Sequence, residues 1–309
     1  MPTSSIKSRT SYIGRFAPSP TGPLHFGSLV TALASYLDAK ANQGQWLVRM
    51  EDIDPPREQP GAAGAILHCL EGHGLAWDGP IMFQSQRHAA YQECIHALLK
   101  RGWVYACTCS RQDLAGMGGV YDGRCRSQAL DNSEPHSLRL KVYDIQDYPS
   151  DEMISFDDLI QGHQAQHLRT QVGDQILKRR DGFYAYQLAV VVDDIAQGVT
   201  HVIRGADLLD VTGRQLFFFG LLGAALPTFG HLPLAINPDG QKLSKQNHAK
   251  PVTVKEASRN LWRALEFLGQ NPPPDLAHMP AKEVLDWGLH HWDRDRISGL
   301  THVYDDGTR

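Results

Sequence analysis

The sequence has no run of 18 apolar residues, so it offers no transmembrane helix. Residues 1–11 are polar and lack an apolar core, so no secretory signal is expected there. Cysteine is scarce and odd in number, five in 309 residues. That argues against a disulfide framework and for a reducing compartment, so a cytoplasmic location with no membrane partner is expected. Excess positive charge is missing too. There are 30 Lys and Arg against 34 Asp and Glu, a net −4, so any contact with nucleic acid has to come from local patches. Internal repeats and low-complexity tracts are absent. These gaps set aside membrane, secreted and fibrous classes and leave a soluble globular chain.

What is present suits an enzyme. Apolar content is 42% and charged content 21%, ordinary for a globular protein and enough for one large α/β domain with insertions, or two domains. The organising stretch is 15–28, R-F-A-P-S-P-T-G-P-L-H-F-G-S. A short apolar run (Tyr12, Ile13, Phe16, Ala17) enters it, and three prolines and a Thr-Gly pair break regular structure. After Ser28 a helical pattern begins, with Leu29, Leu33, Tyr36 and Leu37 at helix spacing. A helix start presents unpaired N–H groups and partial positive charge, which suits a phosphate, and Gly27 permits close approach.

Residues 46–51 read as a second strand, ending in the acidic turn D-I-D-P-P, and 57–73 read as a helix. Strand, helix, strand, helix implies a parallel sheet covered by helices, with ligands beyond the carboxyl ends of the strands, where Arg15, His25 and Glu51 fall. A helix follows over 88–101, then a Gly-rich, Cys-bearing stretch over 103–126, and a strand over 138–142. Residues 131–175 look like inserted strands and loops. The run F-Y-A-Y-Q-L-A-V-V-V-D-D (183–194) reads as an apolar strand carrying Tyr186, and 199–204 as a buried strand ending at Arg204. An apolar helix is expected over 208–222, a last strand over 231–237, and a helix over 254–268. Pro272-Pro273-Pro274 reads as a linker before a short helix and a polar, loose end. The expected divisions are 1–102 and 176–250 for the two halves of the core, 103–175 for the insertion, and 251–309 for a short helical region.

The second key stretch is K-L-S-K (242–245), after a Pro-Asp-Gly turn. Two lysines in such a loop can place ammonium charge where charge develops during nucleotidyl transfer. Paired with the first stretch, it resembles the ATP-binding signatures of class I aminoacyl-tRNA synthetases, and the form R-F-A-P-S-P-T-G-x-L-H-x-G is similar to the glutamyl branch. L-V-R-M-E-D-I-D-P-P-R, the 183–194 run, G-V-T-H-V-I-R-G-A-D-L and L-P-L-A-I-N-P-D-G-Q-K-L-S-K-Q carry the resemblance over about residues 12–250. Two departures stand out. The first signature ends His-Phe-Gly-Ser without a second His, and the second has Leu for the usual Met and Gln for the final Ser.

The resemblance implies a Rossmann-type core. It implies a glutamate site at Arg15, Phe16, Ala17, Pro18, Ser19, Glu51, Tyr186 and Arg204, and an ATP site at His25, Gly27, Lys242, Ser244 and Lys245. His25 and Lys245 would act on the phosphates, with Mg²⁺ brought by ATP. The residue types fit. An arginine reads a carboxylate bidentately, a second cation favours glutamate over glutamine, and a carboxylate at a strand end suits a substrate ammonium. The reaction needs positioning and charge stabilisation rather than an enzyme nucleophile.

Cys107, Cys109 and Cys125 lie within 19 residues of one another and suit a structural Zn²⁺. The resemblance suggests Tyr121 as fourth ligand, while Asp122 and His136 are alternatives by position. Basic clusters at Lys100-Arg101, Arg124-Arg126 and Lys178-Arg179-Arg180 could touch phosphates.

Only 64 residues follow Lys245, whereas glutamyl-tRNA synthetases carry a large anticodon-binding region there. The resemblance is therefore closest to a short paralogue of that branch. It implies tRNA-independent activation of glutamate by a monomer, then transfer to the cyclopentenediol of queuosine in the anticodon of tRNA(Asp). The alternatives are a truncated synthetase charging the acceptor end and a non-catalytic RNA- or amino-acid-binding paralogue.

Overall fold

The computed structural model describes residues 11–118, 120–127, 135–142, 153–236 and 251–304. The chain enters through β1 (Ile13–Phe16), turns through the prolines, and runs into α1 (Phe26–Ala41) and β2 (Gln45–Met50). Next come α2 (Ala62–Gly72), β3 (Met82–Phe83) and α3 (His88–Lys100). Strands β1, β2 and β3 pair in parallel, with Ile13 opposite Gln45 and Arg49 opposite Met82.

A different pairing follows. β4 (Val104–Cys107), the short α4 (Arg111–Ala115), β5 (Ser137–Leu140), β6 (Met153–Asp158), β7 (Gly162–His167) and β8 (Gln175–Lys178) make only antiparallel pairs. Antiparallel neighbours need no helical crossover, so this stretch can be set into the α/β order without interrupting it. The parallel order resumes with α5 (Tyr186–Ala196), β9 (His201–Gly205), α6 (Thr212–Leu221) and β10 (Thr228–Leu232), β9 and β10 being parallel. Ile13 N donates to Thr200 Oγ1, and Thr200 N donates to Ile13 O, which sets β9 beside β1. The chain continues with β11 (Leu234–Ile236), α7 (Ala257–Phe267), α8 (Ala281–His291) and β12 (His302–Tyr304).

Four expectations need correction. Residues 183–194 do not form a strand: Tyr186 opens α5. Leu188, Ala189, Val190 and Val191 are all buried, and a helix buried on most sides reads as a continuous apolar run, which periodicity cannot tell from a core strand. The last strand divides at Pro233, which lacks the N–H a ladder needs. The proline run is not a linker but leads straight into a short 3-10 helix, Pro274–His278. Its Pro273 carbonyl accepts from Trp262 Nε1 at 2.9 Å, and α7 and α8 on either side share one apolar cluster with α1, α2, β1 and β2. The end is not loose, since β12 pairs in parallel with β11, Leu234 opposite His302. Buried Asp38 of α1 also accepts from Tyr12 Oη at 2.5 Å, Trp292 Nε1 at 3.0 Å and Arg294 Nη1 at 3.2 Å.

A second apolar cluster joins α3, α5 and α6 through Tyr91, Ile95, Leu188, Val191, Phe217 and Phe218. Among the described residues no helix is long and apolar enough to cross a membrane.

Candidate active site

At the carboxyl ends of β1, β2 and β9 the chain leaves a cavity of about 710 Å³. Arg15 and Phe16 reach it from β1, Ala17 and Ser19 from the turn, and Glu51 from the residue after β2. Tyr186 enters from the first turn of α5 and Arg204 from β9. The proline turn is fixed to the next strand end, because Glu51 N donates to Pro18 O at 3.0 Å. That bond sets the depth of Glu51.

The cations are buried and rigidly held. Arg15 is 4% exposed and donates through Nε and Nη2 to Asp194 at 3.3 and 3.5 Å. Arg49, fully buried, donates to the same carboxylate through Nη1 at 2.7 Å and to Gln197 Oε1. Burial pushes the Asp194 carboxyl up, but Arg15 and Arg49 outweigh it and hold the group below the usual carboxylate range. The paired charges make the burial tolerable. Glu51 differs. Its Oε1 forms an ion pair with Arg49 Nη2 at 3.6 Å, too long for a hydrogen bond, and Oε1, Arg49 Nε and Arg49 Nη2 find no hydrogen-bond partner among the described residues. Burial pushes Glu51 up to about 7 despite Arg49 and Arg15. An under-satisfied buried carboxylate facing a cavity invites a cation with N–H donors. Burial, then the nearby Glu51 carboxylate, raises the Tyr186 phenol, which leaves its hydroxyl protonated at neutral pH.

A second cavity of about 440 Å³ adjoins the first and shares Phe16, Ala17, Ser19 and Gly205 with it. A Cβ on Gly205 would lie 2.6 Å from Asp207 Oδ1 and 3.2 Å from Leu234 Cδ2, so a larger residue where the two cavities meet would have to push the Asp207 carboxylate aside. Pro18, His25, Gly27 and Ser28 line the second cavity. The helix here starts earlier than the apolar spacing suggests. α1 opens at Phe26, and His25 caps it by accepting from Ser28 N at 3.3 Å. The imidazole and the first N–H groups of α1 thus share one wall, an arrangement suited to phosphate oxygens. Lys242, Ser244 and Lys245 lie outside the described residues. The flanking segments converge on this cavity: Leu234 and Ala235 line it, and Val252 N donates to Leu24 O beside it.

The Cys cluster is separate. Cys107, Cys109 and Cys125 place their sulfurs within 4.8 Å of one another, and all are free thiols. Cys109 and Cys125 sulfurs are 3.6 Å apart, and Tyr121 Oη lies 3.4 Å from Cys107 Sγ and 3.6 Å from Cys109 Sγ. A tetrahedral zinc with bonds of ~2.3 Å to sulfur and ~2.0 Å to oxygen needs S···S of ~3.8 Å and S···O of ~3.5 Å, so these four donors fit. The Arg139 guanidinium sits 3.9 Å over the Tyr121 ring. Neither Asp122 nor His136 joins the donor group among the described residues, and Asp122 is engaged by Arg124.

The basic clusters are largely used internally. Arg126 pairs with Asp174, Arg101 donates to Leu221 O, and Arg180 donates to Thr108 O beside the cysteines. Arg179 lines the first cavity with Asp54 and Arg57, and its Nη1 stands 3.5 Å from Asp54 Oδ1. Sequence reasoning missed the groups that hold the arginines, namely Asp194, Arg49 and Gln197 behind Arg15. The available signal was Asp193-Asp194 closing an apolar run. Both acids are buried, and Asp193 accepts from Gln84, Arg87 and Tyr91, which anchors α3.

A family profile described as tRNA synthetases class I (E and Q), catalytic domain, matches residues 13–265. The chain belongs to this family. It is 52% identical over 288 residues to a Glutamyl-Q tRNA(Asp) synthetase of Pseudomonas aeruginosa, 93% of this chain and 96% of the relative. It is 53% identical to one of Ectopseudomonas mendocina, 93% of this chain and 95% of the relative. Among solved structures, a glutamate tRNA ligase of Elizabethkingia meningosepticum in complex with its amino acid superposes with a TM-score of 0.77 at 27% identity, over 95% of this chain and 67% of that one. As a class I synthetase of the E and Q type, the chain is an ATP-using ligase with an α/β core built on a parallel sheet.

Proposed function

We propose that this chain activates glutamate with ATP, without tRNA, and transfers it to the cyclopentenediol of queuosine in the anticodon of tRNA(Asp). The observation that carries the glutamate half is the single cavity lined by Arg15, Glu51, Tyr186 and Arg204, joined at Gly205 to the cavity at the start of α1. The acceptor half is supported by relatives named glutamyl-Q tRNA(Asp) synthetases, which match over almost their whole length.

In this reading Arg15 and Arg204 hold the side-chain carboxylate of glutamate, Glu51 receives its ammonium, and Tyr186 donates a hydroxyl. Phe16, Ala17, Pro18 and Ser19 form the wall. An α-carboxylate oxygen attacks the α-phosphorus of ATP, the bond to the β-phosphate breaks, and pyrophosphate leaves. His25 and the N–H groups of α1 bind phosphate oxygens, with Gly27 permitting their approach, and Lys242, Ser244 and Lys245 are the further ATP-binding residues of this reading. Mg²⁺ arrives with ATP and neutralises phosphate charge. A queuosine hydroxyl oxygen then attacks the activated carbonyl carbon, AMP leaves, and the hydroxyl proton passes to solvent. Cys107, Cys109, Tyr121 and Cys125 hold a structural Zn²⁺ in the insertion. We divide the chain at 1–102, 103–175, 176–250 and 251–309 and read it as a cytoplasmic monomer.

The deciding assay offers labelled glutamate and ATP to tRNA(Asp) with and without queuosine, and oxidises the 3′-terminal diol in a parallel arm. Labelling is expected only with queuosine and to survive loss of the terminal diol. Equal labelling of unmodified tRNA, or dependence on the terminal diol, points instead to acceptor-end charging. Absence of glutamate-dependent pyrophosphate exchange would remove both enzymatic readings.

A second expectation concerns pH. A folded-state value of about 7 for Glu51 lies above the ordinary value. Its contribution to stability is therefore present below about pH 4.5 and is lost as pH rises through about 7. Ligand binding runs the other way, because the glutamate ammonium needs the ionised carboxylate. Glutamate affinity should fall about tenfold from pH 8 to pH 6, with proton uptake by the buffer on binding. Calorimetry in buffers of different ionisation enthalpy reads both effects. A flat profile in the parent, or the same slope in Glu51→Gln, contradicts this role.

A further inference from the structure

Arg204 is 3% exposed and is clamped from behind. Its Nη1 donates to Gln215 Oε1 at 2.7 Å, and its Nη2 donates to Thr212 Oγ1 at 2.8 Å and Leu208 O at 3.3 Å. Its Nε donates to His231 Nε2 at 3.0 Å. His231, in β10, is fully buried, and its Nδ1 lies 2.5 Å from Asp158 Oδ2 at the end of β6. The other Asp158 oxygen accepts from Ile160 N, Gln161 N and His231 N, so the carboxylate cannot swing away. The Thr212 hydroxyl stands 3.0 Å from Leu208 O, to which it can donate, and 3.2 Å from His231 Nε2; a hydroxyl donating to Nε2 instead would equally require that nitrogen unprotonated.

A guanidinium has no acceptor and an imidazole nitrogen has one lone pair. Nε2 can therefore accept from Arg204 only when unprotonated, and the ring proton then belongs on Nδ1, facing Asp158. From this geometry we propose that His231 is a positioning residue for Arg204: the Asp158 carboxylate fixes the imidazole as its neutral Nδ1–H tautomer, and that tautomer sets the Arg204 guanidinium at the wall of the glutamate cavity. The charged groups facing the ring are Asp158 from the β6–β7 hairpin, Arg204 from β9 and Asp207 from the turn after it. Burial lowers the His231 value, Asp158 opposes this, and Arg204 adds to it, with a net lowering that keeps the ring neutral. The β6–β7 hairpin, within the antiparallel stretch, thereby supports a side chain of the parallel core.

The inference rests on the reading of this cavity as a glutamate site, and the test separates the two. Asp158→Asn presents an amide that can donate to Nδ1, which moves the ring proton to Nε2 and turns it against Arg204 Nε–H. His231→Gln can place an oxygen near the Nε2 position, whereas His231→Phe keeps the ring without acceptors. The expected result is a KM for glutamate raised tenfold or more in Asp158→Asn and His231→Phe, as for loss of one charge-assisted bond. The kcat and the KM for ATP should change little, and His231→Gln should stay within about threefold of the parent in KM for glutamate. Independently of activity, ¹⁵N resonances of the His231 side chain should report the Nδ1–H tautomer in the parent and Nε2–H in Asp158→Asn. A parent spectrum showing Nε2–H or imidazolium overturns the inference. So does a parental KM for glutamate in His231→Phe, or His231→Gln no better than His231→Phe. If Asp158→Asn does not fold, the two His231 variants and the parent spectrum decide. A parent with the expected tautomer but no glutamate-dependent exchange would sink the glutamate reading alone.

Discussion

Arg15→Gln should lower glutamate-dependent pyrophosphate exchange, as kcat/KM for glutamate, by about 10²–10³-fold. Arg15 supplies fixed charge and a forked donor at the cavity wall, and a glutamine side chain supplies neither. The loss falls on the reaction rather than the fold because of how Asp194 is held. Its bonds from Arg15 are 3.3 and 3.5 Å, whereas Arg49 keeps a 2.7 Å bond to the same carboxylate. The substitution leaves Asp194 compensated, so the stability cost should be about 1–2 kcal/mol rather than the ~3–5 kcal/mol of an orphaned buried charge. Removing Arg49 instead should incur that larger cost. A denaturant titration beside the exchange assay separates the two effects. Exchange within threefold of the parent would show that Arg15 serves packing and not glutamate.

The second large effect concerns the metal. The purified chain should carry one zinc, and Cys125→Ala should carry almost none. Cys125 is 3% exposed and its sulfur is 3.6 Å from that of Cys109, so a remaining pair of thiols and a phenol cannot close a tetrahedron. Structural zinc contributes on the order of 10 kcal/mol to folding of small zinc modules. Here the ligands flank α4 and lie beside β4, so the loss should appear as proteolysis between 108 and 127 while the parallel core persists. Tyr121→Phe should weaken zinc retention against a chelator without abolishing it, because three thiolates remain. Metal analysis of the purified proteins discriminates: near-zero content in parent and variant alike removes the site, and parental content in Tyr121→Phe under chelation removes the phenol as ligand.

Much of the site could be read from the chain because its residues sit where strands stop. Arg15, Glu51 and Arg204 each close or follow an apolar run, and parallel strands gather their carboxyl ends on one edge. Tyr186 could be singled out but not placed, since a buried helix and a core strand present the same apolar run. The partners of the arginines were not legible. Asp194 lies 179 residues from Arg15, His231 lies 27 residues after Arg204, and Asp158 lies 73 residues before His231. Buried carboxylates that neutralise cations carry no local pattern of their own. The pairing of β12 with β11 was equally hidden, because a three-residue strand has no periodicity to detect.

The sequence by itself determined the family, the parallel α/β core, the proline turn before the first long helix and several of the residues that line the cavity. These follow from short-range chemistry: apolar runs, breakers, and motifs whose spacing is set along the chain. Only the tertiary structure decided that Glu51 stands under-satisfied, that Asp194 is shared by two guanidinium groups, that four donors converge to tetrahedral spacing, and that His231 stands behind Arg204. Each depends on distances between segments far apart in sequence, where burial removes water and makes the number of available partners decide the charge state of a group.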